Sequence, residues 1–400
     1  MRVLVTSSRT PFAIDAIRKL AEAGHDVWAA DVYDASPGSH SKYLKGHFTT
    51  PEPDKDAEAF IDSIEKIATE TELDMVLPAF EEAFYMATQH ERLDEVATIF
   101  TGRFPALARL HDKGTFKHYV QGLGLPVPET IVARDDAELK EATGKWEHWF
   151  ARAAFSRGGV GLLTNTGPLA AKGTVEDIHP TAEEPWLVQP FVDGPMLCTY
   201  SIVHGGEVAS HIVYRAPRQW QHSTAIEFES IDGQPTLDIV NVMVKDMDYT
   251  GQLSFDFVDG EDGLTLIECN PRMTDGMLMV NSDELSTALF NPPAETHLIE
   301  PGRTLALDFA VFADMFTHGI KEMPGSIHEL RTMRDPASGW HDHMPAFYNF
   351  LALAHHAGLS LKEHKGIYEA MADGMTWDGQ PIPGMSDADA KALADLESSA

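Results

Sequence analysis

Two short β-type segments near residue 260 constrain the fold of this 400-residue chain more than any other feature. Residues 252–258 and residues 263–268 are rich in apolar and β-forming side chains. The turn between them, residues 259–263, reads D-G-E-D-G, and this Asp and Gly content suits a tight reversal of the chain. The pattern therefore predicts a β-hairpin.

Acidic and amide side chains on this hairpin predict a metal site. Side chains alternate between the two faces of a strand, so Glu268 and Asn270 share one face, and Asp256 lies between two phenylalanines. A lone acid in a strand is usually a solvated position, but a carboxylate buried here would be costly unless it met a cation. Carboxylate and amide oxygens suit Mg²⁺. We therefore predict Asp256, Glu268 and Asn270 as metal ligands.

Three further segments, together with the hairpin, carry a family resemblance. Residues 110–130 contain L-H-D-K and G-L-G-L-P-V-P-E-T, residues 150–163 read F-A-R-A-A-F-S-R-G-G-V-G-L-L, and residues 186–194 read W-L-V-Q-P-F-V-D-G. Followed by D-F and I-E-C-N-P-R of the hairpin, these segments resemble the ATP-grasp superfamily in order and spacing over about half the chain. Within the superfamily, the chain resembles the carboxylate-amine ligases and the large subunit of carbamoyl-phosphate synthase.

The resemblance implies a mixed fold of the α/β and α+β classes with four parts. These are a Rossmann-like pre-grasp domain over residues 1–105, a small ATP-grasp subdomain with a glycine-rich loop over 106–187, a large subdomain with the metal site over 188–310, and a mainly helical C-terminal region over 311–400.

The resemblance also implies a nucleotide site. Lys113 and Arg152 would bind phosphates, and the glycine-rich loop would let backbone N–H groups approach phosphate oxygens closely. An ordinary hairpin loop is the alternative for that segment. Residues 186–194 resemble the hinge strand of the family, whose main-chain groups would contact the adenine edge. Phe191 and Val192 would form apolar walls. The loop residues are Ser156, Arg157, Gly158, Gly159 and Gly161, and the hinge residues are Gln189, Pro190, Phe191 and Val192.

The implied activity is formation of an amide bond between a carboxylate and an amine. ATP would phosphorylate the carboxylate, the amine would attack the acylphosphate, and ADP and phosphate would be released. Arg152 and Arg272 would act on the reacting groups, with Arg272 steadying the acylphosphate or the incoming carboxylate. Mg²⁺ is the expected ion, with Mn²⁺ as an alternative. The expected substrates are small molecules, including an amino acid, and a homodimer stays open as the assembly.

Two departures from the family pattern keep a second hypothesis open. Relatives commonly have a lysine where Arg152 stands, and an acid near the position of Met196. Arginine can still bind phosphate oxygens, but catalysis is less secure. A catalytically degenerate ATP-binding regulatory or scaffold protein is therefore the alternative.

The N-terminal segment suggests a third, weaker hypothesis. Its strand–helix–strand pattern, ending at Asp31, resembles a dinucleotide-binding unit of an NAD(P)-dependent oxidoreductase. The first turn, residues 7–11, contains no glycine, which argues against that reading. Its Arg9 could instead meet an anionic substrate group. Glu81 or Glu82 could recognise an amine, or could simply complement a helix dipole.

The charge balance excludes some partners. With 62 acidic and 30 basic residues, the formal net charge is −32, which argues against binding to nucleic acids or anionic membranes. The sequence contains no apolar stretch of the roughly 20 residues that a membrane span needs, and the N-terminus lacks signal-peptide features. We therefore expect a cytoplasmic protein. Cys198 and Cys269 lie in apolar strands and are expected to be buried thiols.

Overall fold

A computed structural model describes residues 1–155, 161–171, 173–182, 184–220, 224–306, 341–363 and 367–399. Within these ranges the chain forms three β-sheets with helices packed against them. The strands are β1 (Arg2–Val5), β2 (Asp26–Asp31), β3 (Leu44–Thr49), β4 (Met75–Leu77), β5 (Thr98–Ile99), β6 (Ile131–Ala133), β7 (Trp149–Ala153), β8 (Leu162–Thr164), β9 (Trp186–Pro190), β10 (Met196–His204), β11 (Glu207–Trp220), β12 (Thr224–Ile231), β13 (Gly251–Gly260), β14 (Gly263–Asn270), β15 (His297–Leu298) and β16 (Thr304–Ala306).

The α-helices are α1 (Pro11–Glu22), α2 (Ala57–Thr71), α3 (Glu82–Thr88), α4 (His90–Asp94), α5 (Phe104–His111), α6 (Lys113–Gly122), α7 (Asp136–Thr143), α8 (Gln234–Asp246), α9 (Ser282–Phe290), α10 (Met344–Glu363), α11 (Ile367–Ala372) and α12 (Asp387–Ser399). Within the described ranges, none of these helices combines the length and the apolar character needed to cross a membrane.

The first sheet is parallel and has the strand order β3-β2-β1-β4-β5. Its inner strands are short apolar runs, as expected for strands buried on both faces. Helix α1 begins where Thr10 accepts a hydrogen bond from the Ala13 N–H and Pro11 supplies a preset backbone angle. The Rossmann-like prediction for this part of the chain is confirmed.

The other two sheets lie further along the chain. A four-stranded sheet has the order β6-β9-β7-β8 and is antiparallel. A seven-stranded sheet follows the order β14-β13-β10-β11-β12-β16, with β15 paired to β11. The predicted hairpin is present as β13 and β14, which pair antiparallel. The mixed fold class is thus confirmed, and the described part of the C-terminal region is mainly helical.

Among the described residues the apolar core forms three clusters. One buried cluster joins helices α2, α3 and α5 to the inner face of the seven-stranded sheet, including Phe255, Phe257 and Leu266. Phe255 and Phe257 are fully buried, so Asp256 between them points to the opposite face of β13. This packing turns the polar face of the hairpin toward the four-stranded sheet.

Candidate active site

An ion pair joins the four-stranded and seven-stranded sheets at the polar face of the hairpin. Arg152 lies on β7, the strand of the four-stranded sheet that pairs with both β8 and β9. Its Nη1 donates to Glu268 Oε2 on β14, and its Nη2 donates to the Ile267 carbonyl oxygen over 2.8 Å. The side chains of Arg152 and Glu268 are 7% and 22% exposed, so this pair is largely shielded from water.

A register shift in the hairpin makes backbone oxygens available to this site. Asp256 pairs with Glu268 but Phe257 pairs with Leu266, so Ile267 is an additional residue in β14, as in a β-bulge. The Ile267 carbonyl accepts from Arg152, and the Leu266 carbonyl accepts from Lys117 Nζ over 2.9 Å. A guanidinium and a buried amine are therefore bonded to consecutive carbonyls beside Glu268.

The two acidic side chains of the hairpin lie directly opposite each other. Burial and the neighbouring Glu268 raise the pKa of Asp256 well above its usual range. Burial would also raise the pKa of Glu268, but Arg152 and Lys113 outweigh it and hold that pKa well below its usual range. At neutral pH the pair therefore favours one ionised carboxylate, Glu268, beside a carboxyl group that retains its proton.

Asn270, the last residue of β14, and Arg272 continue the site toward the parallel sheet. Asn270 Nδ2 donates to Glu268 Oε1 over 3.3 Å, and Arg272 Nη2 donates to Asn270 Oδ1 over 3.3 Å. The Arg272 guanidinium lies 4.4 Å from the centroid of the Phe80 ring, and its Nε is 3.7 Å from Glu81 Oε1. A line of polar side chains thus runs from the carboxylate pair to the carboxyl end of the parallel sheet.

Lys113 approaches the same place from the first turn of helix α6. Its side chain is buried, its Nζ donates to the Ala154 carbonyl oxygen over 3.4 Å, and its charge acts on Glu268. The predicted loop residues Ser156, Arg157, Gly158 and Gly159 lie outside the described residues. Gly161 is described, with φ +66° and a carbonyl that accepts from the Ala153 N–H over 2.9 Å.

The predicted hinge residues lie along and just beyond β9. Gln189 is buried and its side chain donates to Thr130 Oγ1 over 2.8 Å, while Pro190 pairs with Trp149. The Phe191 N–H donates to the His148 carbonyl oxygen over 2.9 Å. Phe191 and Val192 are partly buried. A main-chain contact from Phe191 to an adenine edge would therefore use its carbonyl oxygen.

The donor set fits a divalent cation. Two carboxylates that pair across the hairpin repel each other when ionised, and burial beside Glu268 raises the pKa of Asp256. One Glu268 oxygen is bonded to Arg152, and the other faces Asn270. In the part of the chain that the structure describes, no group of three or more His, Cys, Asp or Glu side chains is arranged to hold a metal. Any cation here would rely on two acids and an amide.

Three polar residues near the site were not predicted from the sequence. Lys117 follows Lys113 by one helical turn, a spacing that could have revealed it. Burial and the neighbouring Arg152 lower the pKa of Lys117 well below its usual range. Cys198 pairs with Asp256 across β10 and β13, and burial raises the pKa of its thiol. Burial raises the pKa of Asp275 to about 6, opposed by Arg272.

The N-terminal candidates are held by protein partners. Arg9 bonds Asp31 through Nε over 2.9 Å, and Asp31 also accepts from the Arg9 N–H, so this acid meets a guanidinium. Glu82 accepts hydrogen bonds from Thr6 Oγ1 and from the N–H groups of Ala79 and Phe80, so it satisfies donors in the turn before helix α3. Glu81 faces Arg272 instead.

Comparison with solved structures identifies the fold. No protein-family model and no curated protein matches the sequence. N5-carboxyaminoimidazole synthetase from Staphylococcus aureus, complexed with ADP, is 13% identical with a TM-score of 0.60, covering 79% of this chain and 85% of that one. L-amino acid ligase from Bacillus licheniformis is 15% identical with a TM-score of 0.55, covering 74% and 75%.

A third similar structure was solved with a nucleotide and a metal ion. The biotin carboxylase domain of 2-oxoglutarate carboxylase from Hydrogenobacter thermophilus, in complex with MgADP and bicarbonate, is 15% identical with a TM-score of 0.54. The alignment covers 74% of this chain and 71% of that one. At these identities the likeness shows a shared fold.

Proposed function

From the ATP-grasp fold that this chain has, we propose that it is an ATP-dependent ligase that joins a carboxylate to an amine through an acylphosphate. The observation that carries the proposal is the convergence of Lys113 and Arg152 on the carboxylate pair Asp256 and Glu268. Cations for phosphate and acids for a metal ion are the two components that phosphoryl transfer requires. The solved ligases of this fold support the reaction class.

The proposed roles follow the geometry of the site. Lys113 and Arg152 bind the phosphate groups of ATP, together with the glycine-rich segment that ends at Gly161. Asp256, Glu268 and Asn270 hold Mg²⁺, which neutralises charge on the β- and γ-phosphates when it is bound. Arg152 belongs to the four-stranded sheet and contacts β14, which supports a role between the nucleotide and the metal ligands.

Arg272 is the proposed contact for the activated carboxylate. Its guanidinium contacts Asn270, the Met273 carbonyl and the Phe80 ring, and Arg272 lies two residues beyond the end of β14. A guanidinium fixed in this way can bind two oxygens of a carboxylate or acylphosphate. The acceptor amine would then approach from the side of the parallel sheet, where an amino acid is the expected substrate.

One observation favours a second candidate function. Arg152 bonds Glu268 directly, so its guanidinium satisfies a carboxylate oxygen that a metal ion would otherwise use. If this pair does not open when nucleotide binds, the chain binds ATP without turnover and acts as a regulatory or scaffold protein. Measurable Mg-ATP binding without ADP release across all substrates would identify this case.

Release of ADP and phosphate across a panel of carboxylates and amino acids tests the ligase proposal. We expect the Glu268→Gln and Asn270→Ala variants to lower turnover by at least roughly 100-fold, because each removes a group that stabilises charge in the transition state. The control is Glu261→Gln, an exposed acid in the turn of the same hairpin, which should retain the wild-type rate. Near-native turnover in both site variants, with folding checked by circular dichroism, would exclude the metal assignment.

A further inference from the structure

A segment near the C-terminus packs against the carboxyl end of the parallel sheet. We name residues 373–380 the C-terminal strap. The Tyr85 hydroxyl donates to the Thr376 carbonyl over 2.8 Å, Ser7 Oγ donates to the Met375 sulfur over 3.2 Å, and an Arg9 nitrogen donates to the Asp373 carbonyl over 3.4 Å. The strap therefore covers the edge of the sheet where open α/β folds bind ligands.

Trp377 is the anchor of the strap. Its side chain is 1% exposed and stacks on Phe84 with ring centroids 4.7 Å apart. It also contacts the edge of Phe104 at 5.5 Å, and its Nε1 donates to the Gln380 carbonyl over 2.8 Å. A buried tryptophan with a satisfied N–H fixes the position of the backbone on either side of it.

The backbone N–H of Trp377 holds a buried carboxylate. It donates to Glu81 Oε2 over 3.1 Å, while the other Glu81 oxygen lies 3.7 Å from Arg272 Nε. The His111 imidazole is also near, 3.9 Å from Glu81 Oε2, and its Nε2 is 3.2 Å from the Trp377 carbonyl oxygen. Glu81 is fully buried, so its orientation is set by these neighbours. The strap thus orients the carboxylate that faces the guanidinium of Arg272.

The strap also contacts the residue that precedes the glycine-rich segment. Phe155 meets Trp377 edge-on with centroids 6.3 Å apart. Gly379 packs directly against the Phe155 ring: a Cβ at this glycine would lie 2.5 Å from Phe155 Cζ. Only glycine fits beside this ring, and φ at Gly379 is +88°. Phe155 is therefore held in place by the strap just before residue 156.

We propose that the C-terminal strap holds side chains of the active site in position. Glu81 and Trp377 position Arg272, and Gly379 positions Phe155. The proposal rests on the ligase function for what Arg272 does, but the placement of Arg272 can be tested alone. In this proposal Glu81 and Trp377 act through Arg272, so both are positioning residues. Two different effects follow, one on the carboxylate step and one on nucleotide binding.

The first test is Glu81→Gln, which keeps the size of the side chain and removes its charge. We expect kcat/KM for the carboxylate to fall at least about tenfold, as for loss of a group that orients a ligand-binding side chain. The Kd for Mg-ADP should stay within about twofold, because Arg272 does not bind the nucleotide. A crystal structure of the variant should show Arg272 displaced from the Phe80 ring.

The second test compares two glycines with the same backbone angle. Gly379→Ala and Gly24→Ala both place a side chain at φ +88°, but a Cβ at Gly24 meets nothing within 4 Å. We expect the Gly379 variant alone to weaken Mg-ADP binding at least about fivefold, because Phe155 shifts and disturbs the adjoining end of β7, which carries Arg152. Equal Mg-ADP affinities in the two variants would overturn this part of the proposal.

Failure of the strap proposal can be distinguished from failure of the ligase proposal. If the wild type turns over no substrate, the ligase proposal fails, while the position of Arg272 in the Glu81→Gln crystal still decides the strap proposal. An Arg272 that stays over Phe80 overturns it. If Glu81→Gln does not fold, Trp377→Ala takes its place: Arg272 should be displaced in that variant and retained in Trp377→Phe, which keeps an aromatic ring on Phe84. Displacement in neither variant would refute the positioning role.

Discussion

The bond between Arg152 and Glu268 predicts a strong energetic coupling between these residues. Arg152→Met removes two hydrogen bonds from a charged donor and leaves the Glu268 carboxylate beside Asp256. Breaking a buried ion pair by removing one partner costs about 3–5 kcal/mol of unfolding free energy. Because Glu268 is partly exposed, we expect Arg152→Met to cost about 3 kcal/mol. Glu268→Gln should cost about 2 kcal/mol, because it removes one charge and keeps a hydrogen-bond acceptor.

The double variant distinguishes coupling from two separate losses. Additive effects would sum to about 5 kcal/mol, whereas removal of both charges should cost only about 3 kcal/mol, a coupling of about 2 kcal/mol. Urea denaturation of the four proteins, followed by circular dichroism, measures each free energy of unfolding. The slopes with denaturant should be equal, so that the differences report stability.

An exposed pair of the same residue types is the control. Arg2 and Glu72 form an ion pair whose side chains are 36% and 80% exposed. The corresponding cycle, Arg2→Met with Glu72→Gln, should give a coupling below about 1 kcal/mol, because water screens exposed charges. If the Arg152–Glu268 cycle is additive within about 0.5 kcal/mol, the pair is not the link between the two sheets that its geometry indicates.

Urea denaturation also measures three effects of burial and close packing on stability. Lys117→Met should cost only about 1 kcal/mol, because burial disfavours the charged amine and Met fills a similar volume; a loss above about 3 kcal/mol would contradict this. Burial lowers the pKa of His211 to about 3, below its unfolded value of about 6.5, so the unfolded state binds the proton first on acidification. Wild type should therefore lose about 2 kcal/mol relative to His211→Gln between about pH 8 and about pH 5, and a constant difference would refute the assignment. Gly276→Ala places a Cβ 2.4 Å from Tyr200 Cβ and should cost at least about 2 kcal/mol, whereas Gly122→Ala, with open space, should stay within about 0.5 kcal/mol.

Local sequence patterns predicted the elements of the site correctly. The apolar alternation and Asp-Gly turn of residues 252–268 predicted the hairpin, and the order of four segments predicted the fold. Period-two geometry placed Glu268 and Asn270 on one face, where the structure brings them within hydrogen-bonding distance. The metal and nucleotide roles of these residues stay predictions.

Other features of the site could not be read from local patterns. The additional residue at Ile267 changes the register of the hairpin, and a strict alternation of side chains gives no signal for it. Nor did the sequence show that the Phe191 N–H is already bonded to His148. The register shift and the Phe191 hydrogen bond both depend on backbone pairing between segments that are separate in the sequence.

Local patterns along the chain predicted the hairpin, the N-terminal strand–helix–strand unit and the charged residues near them. Periodicity, turn residues and helix caps act over a few neighbouring positions, so they are visible along the chain. Folding of the whole chain brings Arg152 to Glu268, 116 residues away, and the Trp377 N–H to Glu81, 296 residues away. Burial sets these partners, because a carboxylate removed from water must find a cation or an N–H donor wherever the packing of the sheets brings one.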